Sequence, residues 1–171
     1  IDLAFVALFA FTLASQAHAQ DKPTTVSSLA GLYNMTISFI HQTAEMMDDD
    51  MLAYRPSVNV QTVQGHFGHI INAQFGLCAL AAGEENPGEG DYEELAMTKE
   101  AIIAGLEAST AYCNGVYESM SEEDAAAQRT FFGQEVTAAA VLSFKTTHNY
   151  QHYGSLVTYM RINGLVPPSS Q

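Results

Sequence analysis

The sequence predicts an all-α protein, a single domain folded as a four-helix bundle. Apolar residues recur at intervals of three and four in four long segments, which is the pattern of amphipathic helices. No segment of any length alternates apolar and polar residues as a half-buried strand does. The chain has 171 residues, of which 47% are hydrophobic, enough for one buried core but short for two domains. Together these observations favour a helical bundle.

The first helix is predicted from about Thr25 to Met47. Its end is expected at the three aspartates 48–50, because acidic side chains oppose the negative C-terminal end of a helix. The next stretch, Met51 to Asn59, contains a proline and is predicted to be a loop. The apolar stripe of this first helix comprises Leu29, Leu32, Tyr33, Ile37, Ile40, Ala44 and Met47.

The second and third helices flank a linker rich in glycine, proline and glutamate. The second helix is predicted to begin near Thr62, whose side chain can cap free backbone N–H groups, and to end near Ala82. The linker is the run from Gly83 to Gly90, and the third helix begins at about Thr98. After it, residues 121–124 suggest one short turn, and residues 128–134 an extended excursion.

The last helix is predicted from Val136 to Asn163. This segment has no proline and a single glycine, and Gly164 followed by two prolines marks its end. Polar residues occur on its inward stripe, which comprises Val141, Phe144, Lys145, His148, His152, Leu156 and Tyr159.

Residues 1–19 are predicted to be a signal peptide truncated at its N-terminus, followed by the folded domain at 20–171. The apolar run from Leu3 to Leu13 has signal-peptide length and is short for a membrane span, which disfavours the alternative of a membrane anchor. Ala17-His18-Ala19 resembles a cleavage site. We therefore expect an exported protein, periplasmic or extracellular, with no stable membrane insertion after cleavage.

The charge of the chain disfavours nucleic acid as a partner. It has 19 acidic and 6 basic residues, for a net charge of -13, which repels phosphate groups and anionic lipids. There is no glycine-rich phosphate loop and no Gly-x-Ser-x-Gly motif of an esterase.

Two histidines of the last helix suggest a metal site. His148 and His152 are four residues apart, so their imidazoles lie one turn apart on the same face. The glutamate of a His-Glu-x-x-His zinc protease is missing between them. Two inward histidines need a metal or hydrogen bonds to offset their burial. The spacing alone leaves the third ligand open between His66 and His69.

Several short motifs resemble the DinB-like (DinB/YfiT-like) proteins. They are the runs 62–70 (TVQGHFGHI), 148–154 (HNYQHYG) and 158–161 (TYMR), and residues 164–170 (GLVPPSS) resemble the tail of an exported branch. The resemblance extends from Leu29 to Ser170. It implies an up-down-down-up bundle that holds a divalent metal ion, zinc or nickel, on three histidines.

The resemblance implies that His69, His148 and His152 are the three ligands and that His66 is their neighbour. Three neutral imidazoles leave an open position on the ion for chemistry. We therefore expect a metal-dependent hydrolase or transferase acting on a small molecule. The alternative is a non-catalytic bundle with a structural metal or a stress-related interaction role. Relatives include enzymes that use cytoplasmic thiols, and an exported protein would not meet those thiols. Relatives also often form homodimers, so a homodimer is a further expectation.

The sequence contains two cysteines, one in each of the two middle helices. If the second and third helices run parallel, as the resemblance implies, Cys78 and Cys113 lie at about the same height. An oxidising compartment would then allow one disulfide between them. The alternative is a pair of buried free thiols.

Overall fold

Four long helices, identified in a computed structural model that describes residues 22–95 and 97–171, build the core of the protein. Two short helices, a β-hairpin and a final 3-10 turn connect or follow them. The predicted signal peptide lies outside the described residues. The elements in chain order are α1 (Thr25–Met46), α2 (Asp49–Ala53), α3 (Val63–Ala82), α4 (Lys99–Ser119), α5 (Glu122–Ala126), β1 (Gln128–Phe131), β2 (Gln134–Thr137), α6 (Ala138–Ile162) and the 3-10 turn Pro168–Ser170. The predicted all-α bundle is confirmed.

Contacts between the long helices define their directions. Helices α3 and α4 run the same way, because Gln74 bonds Ser109 and, one turn further along both helices, Cys78 is joined to Cys113. Helices α1 and α6 also run the same way. In contrast, α3 is antiparallel to α6, and α1 is antiparallel to α4. The contacts that show this are Tyr33–Lys145 and Phe39–Tyr153 for α1 and α6, His66–Tyr159 and His69–His148 for α3 and α6, and Tyr33–Tyr117 and His41–Thr110 for α1 and α4.

Threonine side chains fix the start of every long helix. Each accepts a hydrogen bond from a backbone N–H of the first turn, which would otherwise have no partner. The predicted cap at Thr62 is confirmed, with its Oγ1 3.0 Å from the backbone N of Gly65. At the other end of α3, Gly83 adopts φ 77°, a left-handed conformation that glycine adopts readily. The other threonine caps are Thr24, Thr98 and Thr137.

The aspartate run begins a helix as well as ending one, so the predicted loop from Met51 is wrong over its first three residues. Asp48 caps α2 by accepting a hydrogen bond from Met51 N at 2.9 Å, and Asp49 and Asp50 occupy the first turn. Acidic side chains stabilise the positive N-terminal end of a helix. The same three residues that oppose the end of α1 therefore favour the start of α2.

The predicted excursion at 128–134 is part of a short antiparallel hairpin, β1–β2. Its two-residue turn is formed by Phe132 and Gly133, with φ of 48° and 75°. The hairpin continues to Thr137, which caps α6, so the last helix begins at Ala138 rather than at Val136. Strands of four residues are too short to give a clear alternation in the sequence.

For two residues the predicted inward orientation is wrong. Leu32 is 51% exposed and Phe144 is 39% exposed. Leu32 lies at the edge of the α1 stripe, and Phe144 packs against the aromatic side chains of the hairpin rather than the bundle core. Lys145, by contrast, is fully buried.

A disulfide between Cys78 and Cys113 links α3 to α4 across 35 residues of sequence. The predicted pairing is confirmed, and the alternative of two free thiols is wrong. Across the described residues, no helix is both long and apolar enough to span a bilayer.

Candidate metal centre

The site lies where α3 and α6 cross as antiparallel neighbours. Helix α3 contributes His66 and His69, which are three residues apart, and α6 contributes His148 and His152, which are four apart. These spacings place each pair on one face of its helix. The structure therefore brings together the four histidines that sequence reasoning considered, from two segments about 80 residues apart.

Three of the imidazoles turn the same ring nitrogen toward one point. His148 Nε2 lies 3.0 Å from His69 Nε2 and 3.2 Å from His152 Nε2. Among the described residues, His69, His148 and His152 form the group whose nitrogen atoms all lie within 4.8 Å of one another. Tetrahedral zinc with Zn–N bonds of about 2.0–2.1 Å would separate its nitrogen ligands by roughly 3.3–3.4 Å. The three side chains therefore fit a divalent metal ion with little movement.

Burial keeps the imidazoles of His148 and His152 neutral. Desolvation, followed by repulsion from the neighbouring His148, His69 and His66, lowers the pKa of His152 to about 3. Desolvation also lowers the pKa of His148, with a smaller contribution from His69. A metal-binding imidazole must be unprotonated at the coordinating nitrogen. These side chains are therefore in the charge state that metal binding requires at neutral pH.

Hydrogen bonds within this histidine trio, His69, His148 and His152, do not satisfy all of its ring nitrogens. A neutral imidazole has a single N–H, so His148 Nε2 can donate to at most one of the two nitrogens beside it. His148 Nδ1 is buried with no hydrogen-bond partner in the described part of the chain. Three nitrogen atoms at this separation are satisfied better by a shared cation than by each other.

Glu93, which sequence reasoning missed, holds the outer nitrogen of His69. Its Oε1 lies 2.7 Å from His69 Nδ1, and its Oε2 lies 3.3 Å from Gln61 Nε2. The side chains of His69 and Glu93 are 33% and 34% exposed, so this side of the site is open to solvent. Glu93 belongs to the linker between α3 and α4, which in the structure spans residues 83–98 rather than the predicted 83–90. It is one of several acidic residues there, and nothing in its spacing marks it.

Close packing of the linker against two glycines places Glu93. A Cβ added to Gly68 would lie 2.4 Å from the carbonyl oxygen of Tyr92, and one added to Gly105 would lie 3.1 Å from the Tyr92 ring. Asn72 accepts a hydrogen bond from Tyr92 N at 3.1 Å and donates to Asp91 at 2.6 Å. The linker can therefore reach His69 because residue 68 has no side chain.

His66 lies behind the trio, next to His152. Its Nδ1 is 3.0 Å from His152 Nδ1, and its Nε2 is 3.4 Å from the Tyr159 hydroxyl. That hydroxyl lies 3.3 Å from the backbone oxygen of Gln61. His66 is buried, and desolvation lowers its pKa. The geometry thus places His66 beside a member of the trio and outside it. His41 lies elsewhere, bonded to Thr110.

Solved structures that are similar to this one include two DinB-like proteins and an isomerase. A DinB-like protein of Bacillus subtilis has a TM-score of 0.69 and 19% identity, over 84% of this chain and 98% of its own. One from Bacillus cereus has a TM-score of 0.71 and 18% identity, over 82% and 93%. A mycothiol-dependent maleylpyruvate isomerase has a TM-score of 0.65 and 19% identity, over 80% of this chain and 61% of its own. At these identities the similarity concerns the fold.

The family is established by a match between this sequence and a family sequence model. No curated protein sequence matches the chain significantly. The sequence model of the DinB superfamily matches residues 32–156, which includes most of the bundle and all of His66, His69, His148 and His152. This match covers well over half of the chain, and the structural neighbours agree with it. The chain belongs to the DinB superfamily.

Proposed function

We propose that this protein binds one divalent metal ion, zinc or nickel, through His69, His148 and His152, and uses it as a metal-dependent hydrolase or transferase of a small molecule. The observation that carries the proposal is the convergence of the three Nε2 atoms, at 3.0 and 3.2 Å from the central one. Nitrogen donors of this kind suit zinc and nickel better than calcium or magnesium, which prefer oxygen.

The donor set favours an open site. The described residues offer a cluster of three nitrogen ligands, and three protein ligands with a free position are typical of catalytic zinc sites. An ion held by three neutral imidazoles keeps its full charge and supplies Lewis-acid chemistry. The solvent-exposed edge of His69 gives a small molecule a route to that position.

The second candidate is a structural metal. A metal on His69 of α3 and on His148 and His152 of α6 would cross-link two helices that pack directly against each other in the bundle. The carboxylate nearest the site, Glu93, is engaged with His69 and is not free to act as a general base. Both features favour a non-catalytic role.

The disulfide supports an exported protein, in the periplasm or outside the cell. Disulfides persist in oxidising compartments and are rare in the cytoplasm. The mycothiol-dependent isomerase shares the fold but depends on a thiol. A protein in an oxidising compartment would more readily use water as its nucleophile, so hydrolysis is the preferred reaction.

Metal-dependent turnover distinguishes the two candidates. Metal-free, zinc-loaded and nickel-loaded protein would be tested against a panel of small esters, amides and lactones, and against a thiol with an electrophilic acceptor. A hydrolase or transferase gives turnover that requires the metal and is lost in His148→Ala. Fully loaded protein with no turnover, but with a melting temperature raised by metal, would instead favour the structural role.

A further inference from the structure

Two hydrogen-bond chains lead outward from the histidine trio, and both end on groups that can only accept hydrogen bonds. One chain runs from His69 to the Glu93 carboxylate. The other runs from His152 through His66 and Tyr159 to the backbone carbonyl of Gln61. A group that only accepts fixes the direction of every hydrogen bond in its chain.

The first chain defines the protonation of His69. An ionised carboxylate has no hydrogen to donate, so His69 Nδ1 must donate to Glu93 Oε1 across their 2.7 Å contact. A neutral imidazole carries a single N–H, which leaves His69 Nε2 with a lone pair. That nitrogen is the one that faces the centre of the trio, 3.0 Å from His148 Nε2.

The second chain defines the protonation of His152 by the same logic. The Gln61 carbonyl accepts from the Tyr159 hydroxyl, so the Tyr159 oxygen accepts from His66 Nε2. The single N–H of His66 is thereby at Nε2, and its Nδ1 accepts from His152 Nδ1 at 3.0 Å. His152 Nε2 is left with a lone pair, and it too faces the centre, 3.2 Å from His148 Nε2.

Gln61 joins the two chains. Its side-chain amide donates to Glu93 Oε2 at 3.3 Å, and its backbone carbonyl accepts from Tyr159. It directly precedes Thr62, the cap of α3, so its position is fixed by the start of the helix that carries His66 and His69. One residue therefore anchors the outer contacts of two of the three histidines.

We propose that Glu93 and Tyr159 are positioning residues that hold His69 and His152 in the tautomer with a free Nε2 lone pair, so that the site is arranged for a divalent cation before the cation arrives. The inference rests on the proposed metal-binding function. Outer hydrogen bonds of this kind orient metal-binding imidazoles, and their loss typically lowers metal affinity by about 10–100-fold. Within the described ranges 22–95 and 97–171, His148 has no such contact through its Nδ1, so the two chains act on the other two ligands.

The test compares two variants with matched controls. Glu93→Ala removes the first acceptor, and Glu94→Ala removes the same charge from the exposed neighbouring residue. Tyr159→Phe removes one hydroxyl from the second chain, and Tyr153→Phe removes one from the same helix, where it accepts from the backbone N of Ser169. Zinc affinity would be measured by competition with a chromophoric chelator, and the melting temperature of each metal-free variant would report on its fold.

We expect Glu93→Ala and Tyr159→Phe each to weaken zinc binding by about 10-fold or more while both controls stay within about twofold of the wild type. Equal affinity in all five proteins would overturn the inference and leave the metal site intact.

A second readout needs no metal. Long-range proton–nitrogen NMR spectra of the metal-free wild type should show His69 and His152 protonated at Nδ1 and unprotonated at Nε2. Either residue protonated mainly at Nε2 would overturn the inference. If the wild type bound no zinc at all, the proposed function would fail, and these spectra alone would decide the tautomers.

Discussion

Lys145 is the residue whose chemical character conflicts most with its position. It lies on the buried face of α6, fully inaccessible to solvent, with Nζ 3.1 Å from the centre of the Tyr33 ring and 4.8 Å from that of Tyr117. Its amine has no hydrogen-bond partner among the described residues. Desolvation lowers the pKa of Lys145 well below its usual value. A cation over an aromatic ring gains up to about 2 kcal/mol, whereas removing an ammonium from water costs several kcal/mol, so the burial term wins.

Replacing Lys145 with an apolar residue of similar length should stabilise the fold. We expect Lys145→Met to raise the free energy of unfolding at pH 7 by about 1–3 kcal/mol, because the folded state no longer desolvates an amine. The measurement is a urea unfolding curve of each protein. A loss of stability would mean that the amine makes a favourable interaction that outweighs its burial.

The pH dependence of that gain has a defined sign. The pKa of Lys145 is lower in the folded state than the unfolded value of about 10.4. Between those two values the unfolded chain binds more protons than the folded one, so the stability of the wild type rises with pH across this interval. The advantage of Lys145→Met should therefore shrink as the pH rises toward about 10.4. An advantage that stayed constant with pH would contradict the lowered pKa.

Single residues also show where sequence reasoning reaches its limit. Helical spacing identified His148 and His152, because both lie on one segment. It left His66 and His69 open, because both lie on the same face of α3, and the structure separates them by which ring turns toward the trio. Glu93 was missed since its contact depends on how the linker folds back, through the close approach of Tyr92 to Gly68. Such contacts have no periodic signal.

At the scale of elements, the β1–β2 hairpin carries an unfavourable turn residue. Phe132 adopts φ 48°, which is unfavourable for its backbone, and it is 83% exposed, so its side chain gains little from burial. Two-residue turns of this conformation favour Asn-Gly, because asparagine tolerates the left-handed region better than bulky residues do. The ring does contact two others, with its centroid 4.3 Å from that of Phe131 and 6.0 Å from that of Phe144.

Phe132→Asn should therefore stabilise the hairpin. Relief of the left-handed backbone is worth roughly 1–2 kcal/mol, and the two lost contacts of this exposed ring are worth roughly 0.5–1.5 kcal/mol together, so we expect a small net gain, about 0.5 kcal/mol. Phe144→Asn serves as the control, because residue 144 is helical and the same change there should destabilise. Chemical denaturation would measure both. A loss of stability in Phe132→Asn as large as in Phe144→Asn would contradict the argument.

The elements themselves were largely predictable. Threonine caps, glycine ends and periods of three and four located all four long helices to within one or two residues. The errors arose where one local signal has two meanings. Aspartates that oppose the end of α1 also start α2, and a hairpin of four-residue strands has too few residues to show its period.

At the scale of the whole molecule, the disulfide joins α3 to α4, two helices that already pack against each other. It closes a segment of 35 residues, and restricting such a loop in the unfolded chain is worth about 3–4 kcal/mol. Reduction should lower the free energy of unfolding by roughly this amount. Urea curves with and without a phosphine reductant would measure it.

The control for that prediction is the double variant Cys78→Ala with Cys113→Ala. Its unfolding midpoint should not respond to the reductant, because it has no bond to reduce. An unchanged midpoint in the reduced wild type would show that the cross-link adds nothing to the stability of the folded bundle.

Metal binding is the property of the whole molecule that best explains the convergence of the three imidazoles. The direct measurement is the metal content of protein dialysed against excess zinc and then freed of loosely bound ions. His148→Ala removes the central nitrogen of the trio, and His41→Ala removes a histidine that instead contacts Thr110. We predict about one ion per chain in the wild type and in His41→Ala, and only a small fraction in His148→Ala. Equal metal content in all three proteins, or none in any, would contradict a metal centre at His69, His148 and His152.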